Sequence, residues 1–253
     1  MVKMRKIVVT CAGSLAAILF FYAFFTVFFD QAVFVRKNTF YLADVREKVV
    51  ALTFDDGPSP VWTPKILDKL KESGVKATFF MLGEHIAKYP EIARRVVAEG
   101  HDIGNHTYSH TVLIFSDCKH LKEEIDEGQR IIQEVTGQTT RLFRPPKAWL
   151  WESEKALIKS LGYDIILWTL NSKDWVTFDD QYIVKYLIKN IRPGDIILFH
   201  DSGGVFSTEG GDRHETVLAI PTVIRKLRER GYRFVTVSEL IQMHKRQGGS
   251  LPE

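Results

Sequence analysis

Two adjacent carboxylates follow an apolar stretch near the start of the chain. The segment VVALTFDDGPSP covers residues 49–60, and Asp55 and Asp56 stand between its apolar part and the turn at Gly57 and Pro58. Two like charges at the end of a buried strand repel each other without gain unless their roles differ. The pair therefore predicts a site in which partners elsewhere in the chain divide the work between two carboxylates.

Two histidines are candidates for such partners. His106 and His110, in NHTYSH, are four residues apart, and one helical turn would place both imidazoles on the same face. Two histidines and one carboxylate are a common ligand set for a catalytic metal, with one position left for water or substrate. Together with Asp56 they predict a site for one divalent metal ion, which leaves Asp55 free as a base. For the histidine spacing alone, a pair of surface histidines is the alternative.

Three more reactive side chains follow predicted strands. Arg144 stands in LFRPP, Asp174 in NSKDW and His200 in ILFHD. In α/β barrels the active site forms at the carboxyl ends of the strands. Polar clusters that follow five different strands therefore predict one composite site.

The elements that must position these residues alternate along the chain. Apolar, β-rich runs alternate with helical patterns, which predicts an α/β fold with parallel strands and crossover helices. Periodicity alone fits either a barrel or an open doubly wound sheet. The predicted strands cover 49–54, 76–82, 101–105, 140–144, 164–170, 195–200 and 232–237. The predicted helices cover 63–72, 90–98, 120–135, 152–161, 179–191, 215–230 and 238–246.

The order of the motifs adds a family resemblance. TFDDGP, H-x-x-x-H, RPP, DW and LFH resemble the NodB-homology polysaccharide deacetylases, which are carbohydrate esterase family four, over residues 48 to 245. TFDDGP and NHTYSH are the most specific of these motifs. The resemblance implies an α/β fold of the distorted (β/α)7-8 barrel type. It also implies metal-dependent removal of acetyl groups from N-acetylated sugars.

The resemblance implies a role for each site residue. Asp55 would be the general base, and His200 the acid that protonates the leaving amine. Arg144 would orient the base, and Asp174 would tune the acid–base pair. The implied metal ligands are Asp56, His106 and His110, and the implied substrate-binding residues are Trp175, Leu198, Pro146 and Lys147. Among the latter, Trp175 and Leu198 would wall the acetyl methyl group, and a backbone N–H near the RPP turn would complete an oxyanion hole.

Two positions depart from the family pattern. Lys147 stands where a tyrosine often follows the second proline, and a basic residue there favours an acidic group on the substrate. Asn171 replaces the usual first aspartate of the DxxDW-like motif, which leaves the tuning to Asp174. The predicted metal ligands are unchanged. Zinc is the predicted ion, because it suits two histidines and one aspartate, although cobalt, nickel or manganese would also bind.

The N-terminus predicts a membrane anchor. Lys3, Arg5 and Lys6 precede residues 7–29, which carry no charge. At about 1.5 Å per residue this run spans a bilayer core of roughly 30 Å. A cleaved signal peptide, which usually has a shorter apolar region, is the alternative. Basic residues before the span place that end in the cytoplasm and the remaining chain outside the cell membrane.

Four segments follow from this interpretation. Residues 1–29 are the cytoplasmic stub and anchor, 30–47 a linker beside the membrane, 48–246 the catalytic domain, and 247–253 a frayed tail.

Charge and location limit the partners. The net charge is +3 with the basic residues spread along the chain, so we expect no nucleic-acid partner. No obligate protein partner is inferred. An anchored enzyme outside the membrane meets peptidoglycan first, which favours its N-acetylglucosamine or N-acetylmuramic acid residues as substrates, with chitin oligomers next. The alternatives are an O-acetyl esterase acting on polysaccharide, a glycoside hydrolase with paired carboxylates, and a non-catalytic glycan-binding module.

Overall fold

Eight parallel strands form the centre of the molecule. The structure is a computed structural model that describes residues 17–18, 20–21, 32–204 and 207–251. The sheet order is β5-β4-β3-β2-β1-β7-β6, and β8 pairs with the start of β1. This topology confirms the predicted α/β fold and is consistent with a distorted (β/α) barrel. The strands are β1 (Val49–Gly57), β2 (Thr78–Met81), β3 (Asp102–Asn105), β4 (Leu142–Phe143), β5 (Asp164–Ile165), β6 (Leu170–Asn171), β7 (Ile196–His200) and β8 (Arg233–Phe234).

Within the described residues 32–251, eight α-helices connect or follow the strands, with two of them after β2 and none between β5 and β6. The short α2 is not predicted from the sequence, because six residues carry too little apolar periodicity. The helices are α1 (Trp62–Glu72), α2 (Gly83–Lys88), α3 (Pro90–Ala98), α4 (Cys118–Thr136), α5 (Glu152–Ser160), α6 (Asp180–Asn190), α7 (His214–Glu229) and α8 (Val237–Arg246).

The central strand β1 is buried on both faces, and its side chains alternate between two apolar clusters. Val50, Leu52 and Phe54 belong to one cluster, whereas Val49 and Ala51 belong to another. Because successive side chains of a strand point to opposite faces, Asp55 lies on the same face as Val49 and Ala51. The alternation thus aims the first carboxylate of the pair inward.

The single strand predicted over 164–170 is wrong. Asp164–Ile165 pairs with β4 at one edge of the sheet, and Leu170–Asn171 pairs with β7 at the other edge. Residues 166–169 cross between the two edges. Their apolar, β-rich composition is that of one strand, but their backbone hydrogen bonds go in turn to β4, to Phe40, to β7 and to arginine side chains.

The structure describes most of the predicted linker but little of the predicted anchor. Within the predicted linker, residues 32–47 pack against the domain, with Phe40 and Ala43 buried. The predicted anchor at 7–29 lies outside the described residues except for residues 17–18 and 20–21. In the part of the chain that the structure describes, no helix is both long and apolar enough to cross a membrane.

Candidate active site

The predicted site residues meet at the carboxyl edge of the sheet. Asp55 and His200 are direct neighbours in the register of the parallel strands β1 and β7. His106 follows the last residue of β3. Strands of a parallel sheet end on the same side, so side chains that are far apart in sequence converge there.

Asp56, His106 and His110 form a compact group of potential metal ligands. The Oδ1 atom of Asp56 lies 3.4 Å from Nε2 of His106 and 3.3 Å from Nε2 of His110. One ligand atom from each residue lies within 4.8 Å of the others. Tetrahedral zinc with bonds of about 2.0–2.2 Å needs ligand atoms roughly 3.3 Å apart. The donor types and the spacing therefore fit such an ion.

The orientation of His106 also fits a ligand. Its Nδ1 lies 2.6 Å from the backbone oxygen of Arg144, which can only accept, so Nδ1 carries the proton and donates it. The Nε2 lone pair then faces Asp56. Fixing the free nitrogen through the other ring nitrogen is the usual arrangement of a metal-binding histidine.

The charge state of Asp56 matches its surroundings. Burial raises the pKa of this carboxyl, but the positive charge of His110 and the closeness of both imidazoles outweigh burial and hold the pKa well below its usual range. Asp56 also has a left-handed backbone, with φ 75°. Nδ1 of the buried His85 lies 2.8 Å from its carbonyl oxygen, which helps to hold this uncommon conformation.

The two histidines do not lie on a helical turn as the spacing predicts. Residues 106–112 form a loop between β3 and a short 3₁₀ turn, and Thr107 and His110 both have positive φ angles. Glu124 of α4 fastens this loop, because its carboxylate accepts hydrogen bonds from the backbone N–H groups of Tyr108 and Ser109 and from the Ser109 hydroxyl. Glu124 is buried, although its sequence neighbours suggest a solvated helix face.

Asp55 is paired with a buried arginine. Its Oδ1 accepts a 2.7 Å hydrogen bond from Nη1 of Arg144, whose side chain is fully buried. The same Nη1 lies 2.7 Å from the Thr53 hydroxyl. A bond between two ions in a dry setting is short and directional, so Arg144 fixes the direction in which the Asp55 carboxylate points.

His200 and Asp174 form the other side of the site. Asp174 accepts from the ring Nδ1 and the backbone N–H of His200, both at 2.8 Å, and from the Thr216 hydroxyl at 2.9 Å. Burial lowers the pKa of His200, but the charge and hydrogen bond of Asp174 outweigh it and raise that pKa overall. Burial raises the pKa of Asp174, yet the His200 charge holds it below its usual range.

One pocket joins both sides. The pocket-lining residues predicted from sequence are the three metal-binding candidates, Asp55 and His200, with Trp175, Leu198 and Lys147 of the substrate-binding group. Pro146 is buried and is not one of the lining residues. Arg144 and Asp174 reach the pocket only through Asp55 and His200. The wall also includes Trp168, Asn171, Gly204 and Arg213.

A fourth carboxylate, that of Asp201, lies behind the site. Asp201 is fully buried and accepts a 2.5 Å hydrogen bond from the Thr63 hydroxyl. Burial, with added repulsion from Asp56 and Asp55, raises its pKa to about 7. A β-carbon at Gly57 would lie 2.2 Å from this carboxylate, so the glycine of TFDDGP leaves room for Asp201.

Several contributing residues carry no sequence signal of their own. Glu124 accepts from the backbone of the loop that carries the two histidines, and Thr216 donates to Asp174. Both residues lie in ordinary helical sequence patterns. Arg213 is buried and donates to the backbone oxygens of Ser202 and Gly203. These bonds hold the chain directly before Gly204, which lines the pocket. Only the apolar neighbours of these residues along the helix signal that the positions face inward.

Comparison with known proteins agrees with this geometry. The family model described as polysaccharide deacetylase matches residues 43–166. A peptidoglycan-N-acetylglucosamine deacetylase of Bacillus cereus is 38% identical over 198 residues, which cover 78% of this chain and 89% of that protein.

Solved structures show the same similarity. The crystal structure of a peptidoglycan N-acetylglucosamine deacetylase in complex with a hydroxamate-type benzamide superposes with a TM-score of 0.77 at 34% identity, over 86% of this chain and 96% of that one. A pseudoenzyme of carbohydrate esterase family four from Bacillus anthracis gives 0.72 at 27% identity, over 79% and 67% of the two chains. The chain therefore belongs to the polysaccharide deacetylase family, carbohydrate esterase family four.

Proposed function

We propose that this chain is a metal-dependent deacetylase that hydrolyses N-acetyl groups of sugar residues in peptidoglycan. The observation that carries the proposal is the single pocket in which Asp55 and His200 flank the ligand group Asp56, His106 and His110. The named activities of the similar proteins support the substrate class.

In this proposal the chain's own residues divide the proton transfers. A bound divalent ion, with zinc as the proposed metal, would lower the pKa of a water molecule and polarise the acetyl carbonyl. Asp55, oriented by Arg144, accepts the water proton as hydroxide adds to the acetyl carbon. His200 donates its proton to the sugar nitrogen as the C–N bond breaks, so acetate and a free amine leave. A base and an acid of this kind each contribute on the order of 10² to 10⁴ in rate.

The pocket wall supports an acetyl group as the reacting part. Leu198 and Trp175 line the pocket beside the reactive side chains and would pack against the methyl group. Lys147 has a left-handed backbone, with φ 58°, directly after Pro146. Its backbone N–H is the proposed oxyanion donor, a role that does not depend on the tyrosine side chain that the family often has at this position.

We further propose that the chain is anchored through residues 7–29 with its catalytic domain outside the cytoplasmic membrane. The 23 uncharged residues after Lys3, Arg5 and Lys6 support the anchor. Such a position gives access to N-acetylglucosamine and N-acetylmuramic acid residues of peptidoglycan. A protease added to intact cells should remove the catalytic domain, and complete resistance would contradict the proposed topology.

The test of the activity uses the full chain, purified in detergent. Acetate release is measured from peptidoglycan and from N-acetylglucosamine oligomers, before chelation, after chelation and after the return of zinc. Acetate release that stops on chelation and returns with zinc supports the proposal. Cleavage of glycosidic bonds that continues in the presence of the chelator would instead indicate a glycoside hydrolase. Stoichiometric metal without acetate from either polymer would favour a non-catalytic glycan-binding module, whereas acetate from O-acetylated polysaccharide alone would favour an esterase.

A further inference from the structure

The sheet has an open seam that the N-terminal segment fills. Strands β5 and β6 form the two edges and do not pair with each other. Phe40 lies at the β5 side of the seam, where its N–H donates to Ile165 at 2.8 Å and its carbonyl accepts from Leu167 at 2.9 Å. Phe40 also pairs with Ile166 in a parallel bridge and is 4% exposed. Residue 40 therefore serves as a one-residue strand.

The same segment is also tied to the residues that lead into β7, the strand beside β6. Leu42 pairs with Asp195, and the N–H of Ala43 donates to the Gly194 carbonyl at 3.0 Å. Gly194 has a φ of 83°, and a β-carbon there would lie 1.9 Å from the Ala43 carbonyl oxygen. This close approach requires glycine. The segment is thus a fitted part of the domain, joined to β5, to the residues that follow β5 and to the residues that lead into β7.

The residues beside Phe40 that cross between β5 and β6 support the arginine that orients the proposed base. The carbonyl oxygens of Ile166 and Leu167 accept from Nε and Nη2 of Arg144, at 3.2 and 3.4 Å. The next carbonyl, of Trp168, accepts from Nη2 of Arg36 at 3.1 Å. Two arginines therefore hold three consecutive carbonyls. Arg144 approaches from the site, and Arg36 approaches from the N-terminal segment.

We propose that residues 36–43 position Arg144 and the pocket wall at Trp168, and so the direction of the Asp55 carboxylate. The inference rests on the proposed deacetylase function. Arg144 is fully buried, and its acceptors are the Asp55 carboxylate, the Thr53 hydroxyl and the two seam carbonyls. Removing acceptors from a buried cation leaves N–H groups without partners and lets the side chain shift. A shift of about 1 Å in a catalytic group costs roughly 10²-fold in rate.

The inference extends the catalytic unit to residues that precede the family match. The family match begins at residue 43, after Arg36 and Phe40. A protein cut at the family boundary would retain the proposed metal ligands, base and acid. It would lose the residue that fills the seam and the guanidinium that holds the Trp168 carbonyl.

The test compares Arg36→Ala with Lys37→Ala in the full chain. Lys37 is the matched control because its exposed side chain acts only weakly on the surface carboxylate of Glu152, and Lys155 uses its backbone carbonyl, which the substitution keeps. We expect Arg36→Ala to lower kcat about tenfold, with zinc affinity unchanged, and Lys37→Ala to retain wild-type values. Phe40→Leu, which keeps the backbone bridge but loosens the seam, should give a smaller loss. Equal kcat in Arg36→Ala and Lys37→Ala would overturn the proposal, even if Arg36→Ala lowered Tm.

Two further measurements separate positioning from general destabilisation. In a double-mutant cycle with Arg144→Lys, the combined loss should be smaller than the product of the single losses, because both changes act on consecutive carbonyls of the same segment, residues 166–168. Losses that simply multiply would overturn the coupling. Amide hydrogen exchange provides a readout that needs no activity. Exchange at residues 166–168 and 53–55 should be faster in Arg36→Ala than in Lys37→Ala, and equal exchange would contradict the inference even if the wild-type chain released no acetate.

Discussion

The two sides of the pocket balance their charges in different ways. On the acid side, the Asp174 carboxylate accepts three hydrogen bonds from the protein itself, two from His200 and one from Thr216. On the ligand side, one oxygen of Asp56 faces two imidazole nitrogens at 3.3 and 3.4 Å. Since the His106 proton lies on Nδ1, its Nε2 offers a lone pair to a carboxylate, and only a cation or a second proton makes that contact favourable.

The comparison indicates that the two sides are organised by different agents. The acid side is preorganised by its own hydrogen bonds, so it should keep its geometry with or without an ion. The ligand side brings together metal-ligand atoms whose lone pairs repel one another until a cation binds them. Changes on the ligand side should therefore alter metal content, whereas changes on the acid side should alter only proton transfer.

The largest expected effect is the loss of a proposed ligand. His106→Ala removes one of three donors, so we expect the metal to be lost in purification and acetate release to fall at least about 10⁴-fold, since metal and base act together. Metal analysis of the purified variant provides the check. His120→Ala, at an exposed histidine of α4, is the matched control and should keep both metal and activity. One equivalent of tightly held metal in His106→Ala would refute the three-ligand arrangement.

Removing the proposed acid should leave the ligand side intact. His200→Ala is expected to cut kcat about 10² to 10⁴-fold while metal content stays at the wild-type level. The acid side shares no hydrogen bond with His106 or His110 among the described residues, which is the reason for the separation. If the variant instead lost its metal, His200 would belong with the ligands and the comparison of the two sides would fail.

The pH profile offers a finer test of the acid side. An acid must be protonated to act, so activity falls as pH rises through the pKa of His200, which Asp174 raises. Asp174→Asn removes the charge, lowers that pKa and should move the alkaline limb to lower pH, with kcat reduced about tenfold. The same pairing stabilises the fold below the unfolded histidine pKa of about 6.5, and this gain is lost as pH rises through the folded value.

Thr216→Val is the milder variant of this test. It removes one hydrogen bond to Asp174 but leaves the charge that raises the pKa of His200, so the alkaline limb should stay close to its wild-type position, with a smaller loss of kcat. An alkaline limb that stays in place in Asp174→Asn would show that another group limits the rate at high pH.

The sequence predicts the parts of the site that depend on strand ends. Asp55, His106 and His200 follow apolar runs, and parallel strands bring such ends to one edge whatever lies between them. That argument needs only the period of the pattern, so the α/β fold and the shared pocket follow from it. The family resemblance adds the roles, which remain proposals here.

The remaining features depend on contacts that leave no local pattern. The 164–170 run looks like one strand because its residues are apolar, yet the seam places its halves on opposite edges. The spacing of His106 and His110 suits a helix, but left-handed residues in a loop bring their nitrogens together. Phe40 lies in a segment that resembles a linker, because one bridging residue has no periodicity. Each of these features is set by the tertiary fold and leaves no periodic signal in the sequence.

The smallest expected effect concerns the loop that carries the two histidines. Glu124 accepts three hydrogen bonds from Tyr108 and Ser109, between the proposed ligands His106 and His110. Glu124→Ala leaves two backbone N–H groups without this acceptor and should weaken zinc affinity about tenfold, the lower end of the effect of residues behind a metal ligand. Titration with a competing chelator measures the affinity without reference to turnover.

A charge-neutral variant and a neighbouring control decide what Glu124 contributes. Glu124→Gln keeps an oxygen for the two N–H groups, so it should retain most of the affinity if geometry matters, and behave like Ala if the negative charge matters. Glu123→Ala, one residue earlier on the exposed face of α4, should change nothing. If Glu124→Ala lowered Tm but bound zinc as tightly as Glu123→Ala, the loop would not need this carboxylate to hold its histidines. The ligand side would then be organised by the ion alone, which is the strongest form of its contrast with the acid side.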